Sequence, residues 1–308
     1  MHPLILIALA VIPGLFLVLR YYSKDIYKKE PWAVIWKSFF WGAFSVIPAA
    51  LLETSLSLKN EVSIVNSLIE NFLIVALTEE LCKFAVIRFY SSRDSNFDEM
   101  MDGIVYGAAA AAGFATFENI FYVMENGLGT AVIRALLSVP AHILWGASTG
   151  YWMARVKFGQ SSVGASLILG LGTSVLGHGF FDFALTSMKG YEFLALIPVI
   201  LLSFFMNRFV KNSLEYDAVN VHKLSSEEIE RINEMHSSEI KNAYLRKLLR
   251  AGSLLLGWGS VCTGILFAIG FYANYTDKGE AFDGTSAFLI IFPFAAAVFF
   301  QRKAAKYR

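Results

Sequence analysis

The sequence predicts an all-α protein of the membrane, a polytopic helix bundle with about nine transmembrane helices. Of its 308 residues, 56% are hydrophobic and only 17% are charged, whereas a soluble domain carries about 25% charged residues. The mean hydropathy is +0.53, and the apolar residues gather in runs of about 20, the length of a membrane-crossing helix. Basic residues are concentrated in alternate loops between these runs, as they are in multi-pass proteins.

Nine apolar runs predict the individual spans. The first run has no Lys or Arg before it and continues past the small triplet at 8–10, which predicts an uncleaved span rather than a signal peptide. Polar loops separate the later runs. The predicted spans are 3–20, 34–57, 70–90, 103–126, 130–154, 162–187, 191–209, 252–273 and 284–301.

The placement of Lys and Arg predicts the orientation. Alternate loops and the C-terminal tail together hold 20 of the 26 Lys and Arg residues, and the other loops hold three. Because basic loops stay in the cytoplasm, we expect the N-terminus outside and the C-terminus inside (N-out/C-in). The expected location is the cell membrane, with the lipid bilayer as surroundings. The net charge of +1 gives no reason to expect nucleic acid as a partner.

The one long polar segment, residues 210–250, suggests how the chain is organised. Ser225 and Glu228 have the spacing of a capping box, and apolar residues follow at helical spacing from Ile229. These features predict an amphipathic helical linker in the cytoplasm. The predicted domains are a membrane bundle at 1–209 with its catalytic core at about 70–187, the linker at 210–250, and two further transmembrane helices with a basic tail at 251–308.

Charged residues inside the third predicted span point to function. The stretch "ALTEELCKF" places Glu79, Glu80 and Lys83 in an otherwise apolar run. Burying such residues in a membrane costs several kcal/mol, so they are functional candidates by default. Glu79 and Lys83 have the i,i+4 order that favours a helical ion pair. One acid would be enough to neutralise the lysine, and this span has two.

Three later spans carry further ionisable residues at the same depth. Glu118, His142 and His178 lie, like Glu79, about 7 to 12 residues from the predicted outer ends of their spans. At about 1.5 Å per residue, all four fall in one layer roughly 10–18 Å below the outer surface. Four consecutive spans that each deliver an acid or an imidazole to one depth predict a shared polar pocket.

Other polar residues are placed to support this pocket. Tyr122 lies one turn after the acid of the fourth span, and Asp182 lies one turn after the histidine of the sixth, so Asp182 can orient the imidazole. Lys83 is expected to keep one glutamate ionised. Arg134 and Glu53 lie near outer ends, where we expect them to reach solvent.

Carboxylates and histidines around a small pocket suit the activation of water. A glutamate takes a proton from water, and a histidine stabilises the oxyanion or protonates the leaving amine. The same residues can instead hold a Zn²⁺ ion, although no HExxH motif is present. They can also form the proton relay of a proton-coupled transporter, or belong to a scaffold without activity. We expect no cofactor, with a divalent metal left open.

Four short motifs follow one another on successive spans. They are EELCK at 79–83, FENIFY at 117–122, HILWG at 142–146 and HGFFD at 178–182. Together they resemble the PrsW family of intramembrane proteases, which is similar to the type II CAAX prenyl endopeptidases. The resemblance covers about residues 70–185.

The resemblance implies a glutamic-type intramembrane endopeptidase in which Glu79, Glu80 and His178 are essential. It also implies a substrate, a single-span membrane protein such as an anti-sigma factor, cut first on its extracytoplasmic side in a bacterial stress response. The sequence departs from the CAAX pattern at Phe84, where that family has arginine, and at Asp182, where it often has asparagine. A metal-dependent protease of the CAAX type is therefore the alternative rather than the expectation.

Overall fold

The computed structural model describes residues 3–58 and 63–240, and within them every regular element is a helix. The all-α prediction is confirmed for this part of the chain. The chain divides into two compact units, residues 1–223 and 224–308. The predicted spans at 252–273 and 284–301 and the basic tail lie outside the described residues.

The helices follow one another along the chain with short connections. They are α1 (Pro3–Lys24), α2 (Trp32–Phe44), α3 (Val46–Leu56), α4 (Ile64–Leu68), α5 (Leu77–Phe89), α6 (Met100–Ile133), α7 (Val139–Lys157), α8 (Val163–Ser166), α9 (Thr173–Ser187), α10 (Leu196–Tyr216) and α11 (Ser226–Ile240). Wider π-helical turns at Ile69–Ala76, Arg134–Ser138 and Leu167–Gly172 join α4 to α5, α6 to α7 and α8 to α9.

Five helical stretches of the described residues are long and apolar enough to cross a membrane, so the chain is a multi-pass membrane protein. The predicted fourth and fifth spans lie together in one stretch, Met100–Lys157. The predicted third span is helical from Ile64 to Phe89, about 39 Å at about 1.5 Å per residue. It is not among the five, because Glu79, Glu80 and Lys83 make it polar. The count of nine spans and the N-out orientation stay predictions.

The break expected between the fourth and fifth spans is present inside α6. Gly127 has a φ of 76° and a ψ of −157°, outside the helical region, and the chain is helical on both sides of it. A positive φ carries little steric cost only in glycine. This residue therefore lets the chain turn where the sequence predicts the loop.

Helix α6 packs against α1, α2 and α7. Its alanine-rich stretch at 107–115 is buried, as its small residues predict. A Cβ atom built on Gly150 of α7 would lie 1.9 Å from the carbonyl oxygen of Gly103. A Cβ atom built on Gly42 of α2 would lie 1.9 Å from the carbonyl oxygen of Ala110. Backbone therefore touches backbone on both flanks of α6.

The capping box predicted for the polar segment is formed at the start of α11. The backbone N–H of Glu228 donates to Oγ of Ser225 over 3.3 Å, and the backbone N–H of Ser225 donates to Oε2 of Glu228 over 2.8 Å. Ile229 and Ile232 are half-buried, which agrees with an amphipathic helix. The domain boundaries stay a prediction.

Replacement of Gly150 by alanine tests the backbone contact between α6 and α7. The new methyl group would collide with a main-chain oxygen, so we expect a loss of about 1–3 kcal/mol in the free energy of unfolding. Gly129→Ala is the matched control, since a Cβ there has no atom within 4 Å. Thermal unfolding of the two variants in detergent should separate them, and equal midpoints would contradict the close packing.

Candidate active site

Three charged residues of α5 lie together in the interior of the protein. The ammonium Nζ of Lys83 lies 2.7 Å from Oε1 of Glu80 and 3.2 Å from Oε2 of Glu79. Lys83 is 1% exposed, and both glutamates are buried. The ion pair predicted from the i,i+4 spacing is confirmed, and the second glutamate shares the same lysine.

Two histidines from other helices close around these charges. His142 of α7 accepts from Lys83 through Nδ1 over 2.8 Å, and its Nε2 lies 3.2 Å from Oε2 of Glu118. His178 of α9 has Nδ1 at 2.9 Å from Oε1 of Glu80 and Nε2 at 3.0 Å from Oδ2 of Asp182. Each imidazole therefore has a charged partner at both of its nitrogens.

Aromatic rings fix the position of these groups. Trp145 stacks on His178, with ring centroids 4.6 Å apart and an interplanar angle of 14°. The two imidazoles of His142 and His178 meet edge to face at 4.9 Å. Phe114 of α6 places its ring 4.3 Å below the ammonium of Lys83, which adds a cation–π contact. Phe114 was not expected from the sequence, and Trp145 entered only as part of the HILWG motif, with no role of its own.

Arg134 was expected to reach solvent from an outer end of its span, but its side chain is only 17% exposed. Its side chain turns inward and pairs with Oε2 of Glu118 at 2.7 Å, while its Nε donates to the side chain of Asn119. Its guanidinium lies 4.0 Å from the ring centroid of Tyr122. Tyr122 itself is largely exposed and reaches the site through Arg134 rather than through the histidines.

Glu53 of α3 is a further acid that the sequence did not place at the site. It interacts electrostatically with Glu118, His178 and Lys83. Its carboxylate oxygen Oε1 is closed off from solvent and has no hydrogen-bond partner within residues 3–58 and 63–240. An acid inside the apolar run "ALLETSL" was a signal that could have identified it.

Three of the helices that carry site residues are wound more widely just before those residues. The π-helical turns Ile69–Ala76, Arg134–Ser138 and Leu167–Gly172 precede Glu79, His142 and His178 respectively. π-helical turns are rare and are frequent at functional sites. A fourth π-helical turn, Asp217–Val221, follows α10 and precedes none of the site residues, so such turns accompany the site without being confined to it.

The site also contains ligand types that suit a metal ion. One ligand atom from each of Glu79, His142 and His178 lies within 4.8 Å of the other two, and two histidines with one glutamate form a known ligand set of catalytic zinc. Both ring nitrogens of each histidine already face charged side chains, however. The residue types therefore fit a metal, which would have to replace a partner at each histidine.

The predicted site residues thus form one connected cluster, with Tyr122 at its edge. It is assembled from α5, α6, α7 and α9, so the residues that the sequence grouped from four spans do meet, while their depth in a membrane stays a prediction. The catalytic and supporting roles of its members stay predictions. The cluster comprises Glu79, Glu80, Lys83, Glu118, His142, His178 and Asp182.

Comparison with known proteins bears on what this cluster does. Residues 30–207 match the family described as PrsW family intramembrane metalloprotease. The chain is 32% identical over 217 residues to Protease PrsW of Bacillus subtilis (strain 168), covering 70% of this chain and 99% of that protein. It is 33% identical over 211 residues to Protease PrsW of Geobacillus kaustophilus (strain HTA426), covering 68% and 93%. No solved structure matches the chain.

Replacement of Lys83 by methionine tests whether the ammonium holds the cluster together. Removing one partner leaves buried carboxylates without countercharge, so we expect a loss of roughly 3–5 kcal/mol in the free energy of unfolding. Adding Glu80→Gln to Lys83→Met should recover part of that loss. The measurement is chemical or thermal unfolding in detergent.

Lys211→Met is the matched control for that experiment. Lys211 also forms an i,i+4 pair, with Glu215, but its side chain is 73% exposed. Its removal should change the unfolding free energy by no more than about 0.5 kcal/mol. Equal effects of the two lysine substitutions would show that the buried cluster does not depend on Lys83.

Proposed function

The chain belongs to the PrsW family of intramembrane proteases, which are enzymes that hydrolyse peptide bonds. We propose that this protein hydrolyses the peptide bond with a water molecule activated by Glu79. One observation carries the proposal, the position of the Glu79 carboxylate between two histidines. Its Oε2 atom lies 3.8 Å from Nδ1 of His142 and 3.9 Å from Nε2 of His178. These gaps are too wide for direct hydrogen bonds, so Oε2 keeps the capacity to accept from a water that enters the site.

Glu80 has a different environment, which supports a positioning role. Its Oε1 atom accepts from Lys83 over 2.7 Å and lies 2.9 Å from Nδ1 of His178. An oxygen engaged by two charge-assisted hydrogen bonds is poorly placed to take a further proton. We therefore assign Glu79 as the general base and Glu80 as the residue that orients His178.

In the proposed reaction, Glu79 accepts a proton from water and the water oxygen bonds to the peptide carbonyl carbon. The oxyanion accepts a hydrogen bond from Nε2–H of His178. In the resting site this nitrogen faces Asp182, whose side chain is 25% exposed, so the imidazole exchanges this partner for the oxyanion. The C–N bond then breaks as Glu79 returns the proton to the leaving amine. His142 and Glu118 support the opposite side of the water.

The substrate we propose is a single-span membrane protein such as an anti-sigma factor. A protease buried among membrane helices meets its substrates within the bilayer, and a single helix is the simplest chain to enter laterally. The predicted depth of the acids, in the outer half of the membrane, supports cleavage on or near the extracytoplasmic side. In this proposal the reaction is the first cut in a stress response.

A metal-dependent form of the same hydrolysis is the second candidate. It is favoured by the grouping of Glu79, His142 and His178, and by the description of the matching family as a metalloprotease. A Zn²⁺ ion held by these three residues would polarise the peptide carbonyl and lower the pKa of a bound water. The charged partners at both nitrogens of each histidine favour the metal-free form.

Three substitutions test the assigned roles. Glu79→Gln, Glu80→Gln and His178→Ala should each lower the cleavage of a single-span reporter by at least about 100-fold, since each removes a group that moves or positions a proton. Membrane fragments from cells that carry each variant, separated by size, give the measurement.

Glu125→Gln serves as the control for these variants. Glu125 is an exposed acid of α6 and makes no contact in the cluster, so its variant should cleave at the rate of the unmodified protein. Equal protein levels and unfolding midpoints show that the variants fold. Full cleavage by Glu79→Gln or His178→Ala would refute the mechanism.

Removal of metal distinguishes the two candidate reactions. After dialysis of the purified protein against a strong chelator, we expect cleavage to persist, with far less than one metal ion per chain by elemental analysis. Loss of activity that Zn²⁺ alone restores would instead establish the metal-dependent reaction. Glu79, His142 and His178 would then be metal ligands, and Glu79 would not be free to act as the base.

A further inference from the structure

A second group of buried acids lies far from the active site, where the loop between α1 and α2 meets the start of α6. We call Asp25, Glu30 and Asp102 the loop carboxylate cluster. Asp25 and Asp102 are 0% exposed and Glu30 is 1% exposed. One oxygen from each lies within 4.8 Å of the other two. Asp102 precedes Glu118 by about 24 Å along the α6 axis, so the two clusters are separate.

The amides at the start of α6 satisfy some of the acids in this region. Oδ2 of Asp102 accepts from the backbone N–H groups of Asp98 and Glu99 over 2.8 and 2.6 Å. Asp217 of the turn after α10 accepts from the first two amides of α6 over 2.6 and 2.9 Å. Carboxylates at a helix N-terminus are stabilised in this way. These hydrogen bonds compensate the burial of the Asp217 carboxylate and of one oxygen of Asp102.

The remaining oxygens have no such explanation. Among the described residues, no hydrogen bond of good geometry reaches either oxygen of Asp25, either oxygen of Glu30 or Oδ1 of Asp102, although the Glu30 backbone lies near Asp25 and the Glu30 and Asp102 carboxyls lie near each other. A buried polar atom without a partner costs about 1–3 kcal/mol, and more when it is charged. Burial raises the pKa of the Asp25 and Glu30 carboxyls to about 7 each. The cluster therefore needs a proton or a cation to be stable.

We propose that the loop carboxylate cluster binds one hard divalent cation of the size of Ca²⁺. Ca²⁺ takes carboxylate oxygens at about 2.3–2.6 Å in flexible geometry and accepts several carboxylates at once, and here one oxygen from each of three residues lies within 4.8 Å of the other two. Mg²⁺ demands near-ideal octahedral geometry at about 2.0–2.1 Å, keeps several waters and is usually bound by one or two carboxylates, so three buried carboxylates suit it less well. The ligand set contains only oxygen, unlike the glutamate and histidines of the active site, so the two clusters would select different ions.

Neighbouring basic groups offset part of the charge of the cluster, since Lys29 interacts electrostatically with Asp25 and Lys28 with Glu30. Lys29 donates from Nζ to the main-chain carbonyl oxygens of Tyr22 and Asp25. Lys28 pairs with Asp98, and His222 lies against Glu99. With the cation bound, the loop between α1 and α2 would be fastened to the first turn of α6. This inference does not rest on the proposed protease mechanism.

Calcium binding to the full-length protein in detergent tests the proposal. After removal of metal by chelation, CaCl₂ should raise the thermal unfolding midpoint by several degrees, saturating at one ion per chain, with Mg²⁺ weaker. Glu30→Gln and Asp25→Asn should each weaken the binding at least about tenfold. Glu215→Gln, an exposed acid of α10, should leave it unchanged. The Glu79→Gln variant should keep the full response, which excludes the active site as the source.

Two results would overturn the proposal. The first is the absence of any shift with up to millimolar CaCl₂ in the unmodified protein, together with less than half an ion bound in equilibrium dialysis. The second is a Glu30→Gln variant that is more stable than the chelated protein and equally responsive to calcium. That result would mean that the carboxyls of Glu30 and Asp102, which are close enough to hydrogen-bond, share a proton. If a variant fails to fold, the dialysis measurement on the unmodified protein decides.

Discussion

A lysine ammonium closed off from water inside a membrane bundle is the constraint on which the site depends. Such a charge is stable only if its surroundings compensate it fully. Glu79 and Glu80 supply the countercharge to Lys83, Phe114 lies against Nζ, and His142 accepts through Nδ1. Because these partners come from α5, α6 and α7, the need to neutralise one side chain also sets the relative positions of three helices.

The glycine contacts make this arrangement sterically possible. Gly103 and Gly150 bring the backbones of α6 and α7 together, and Gly42 brings α2 onto the opposite flank of α6. Side chains as short as glutamate can then meet across helix boundaries, as Glu118 and His142 do at 3.2 Å. Larger residues at these contacts would separate the helices by more than a carboxylate can span. The contacts between the polar site residues therefore depend on the close packing that the glycines allow.

Much of the site could be predicted from the sequence, because spacing along one helix and depth in a membrane are both properties of residue number. The Glu79–Lys83 pair follows from spacing along one helix, and the grouping of residues from four spans follows from their counted depth. The direction in which a side chain points was harder to predict. Arg134 was expected to reach solvent and instead pairs with Glu118, a partner that lies 16 positions earlier in the chain. Burial of Asp25 was not predictable, since acids in a charged loop are usually solvated.

The π-helical turns before the site residues have a consequence for how such a site can be adjusted. One additional residue in a helix changes the height of everything after it by only about 1.5 Å, but rotates it by about 100°. Membrane thickness constrains height, whereas azimuth is set by the neighbouring helices. A wide turn therefore changes the direction in which the following side chains point around the helix axis, while their depth in the membrane stays nearly constant. Wide turns precede Glu79, His142 and His178 on three helices. They allow these three side chains to point toward one place without any change in the depth of a span.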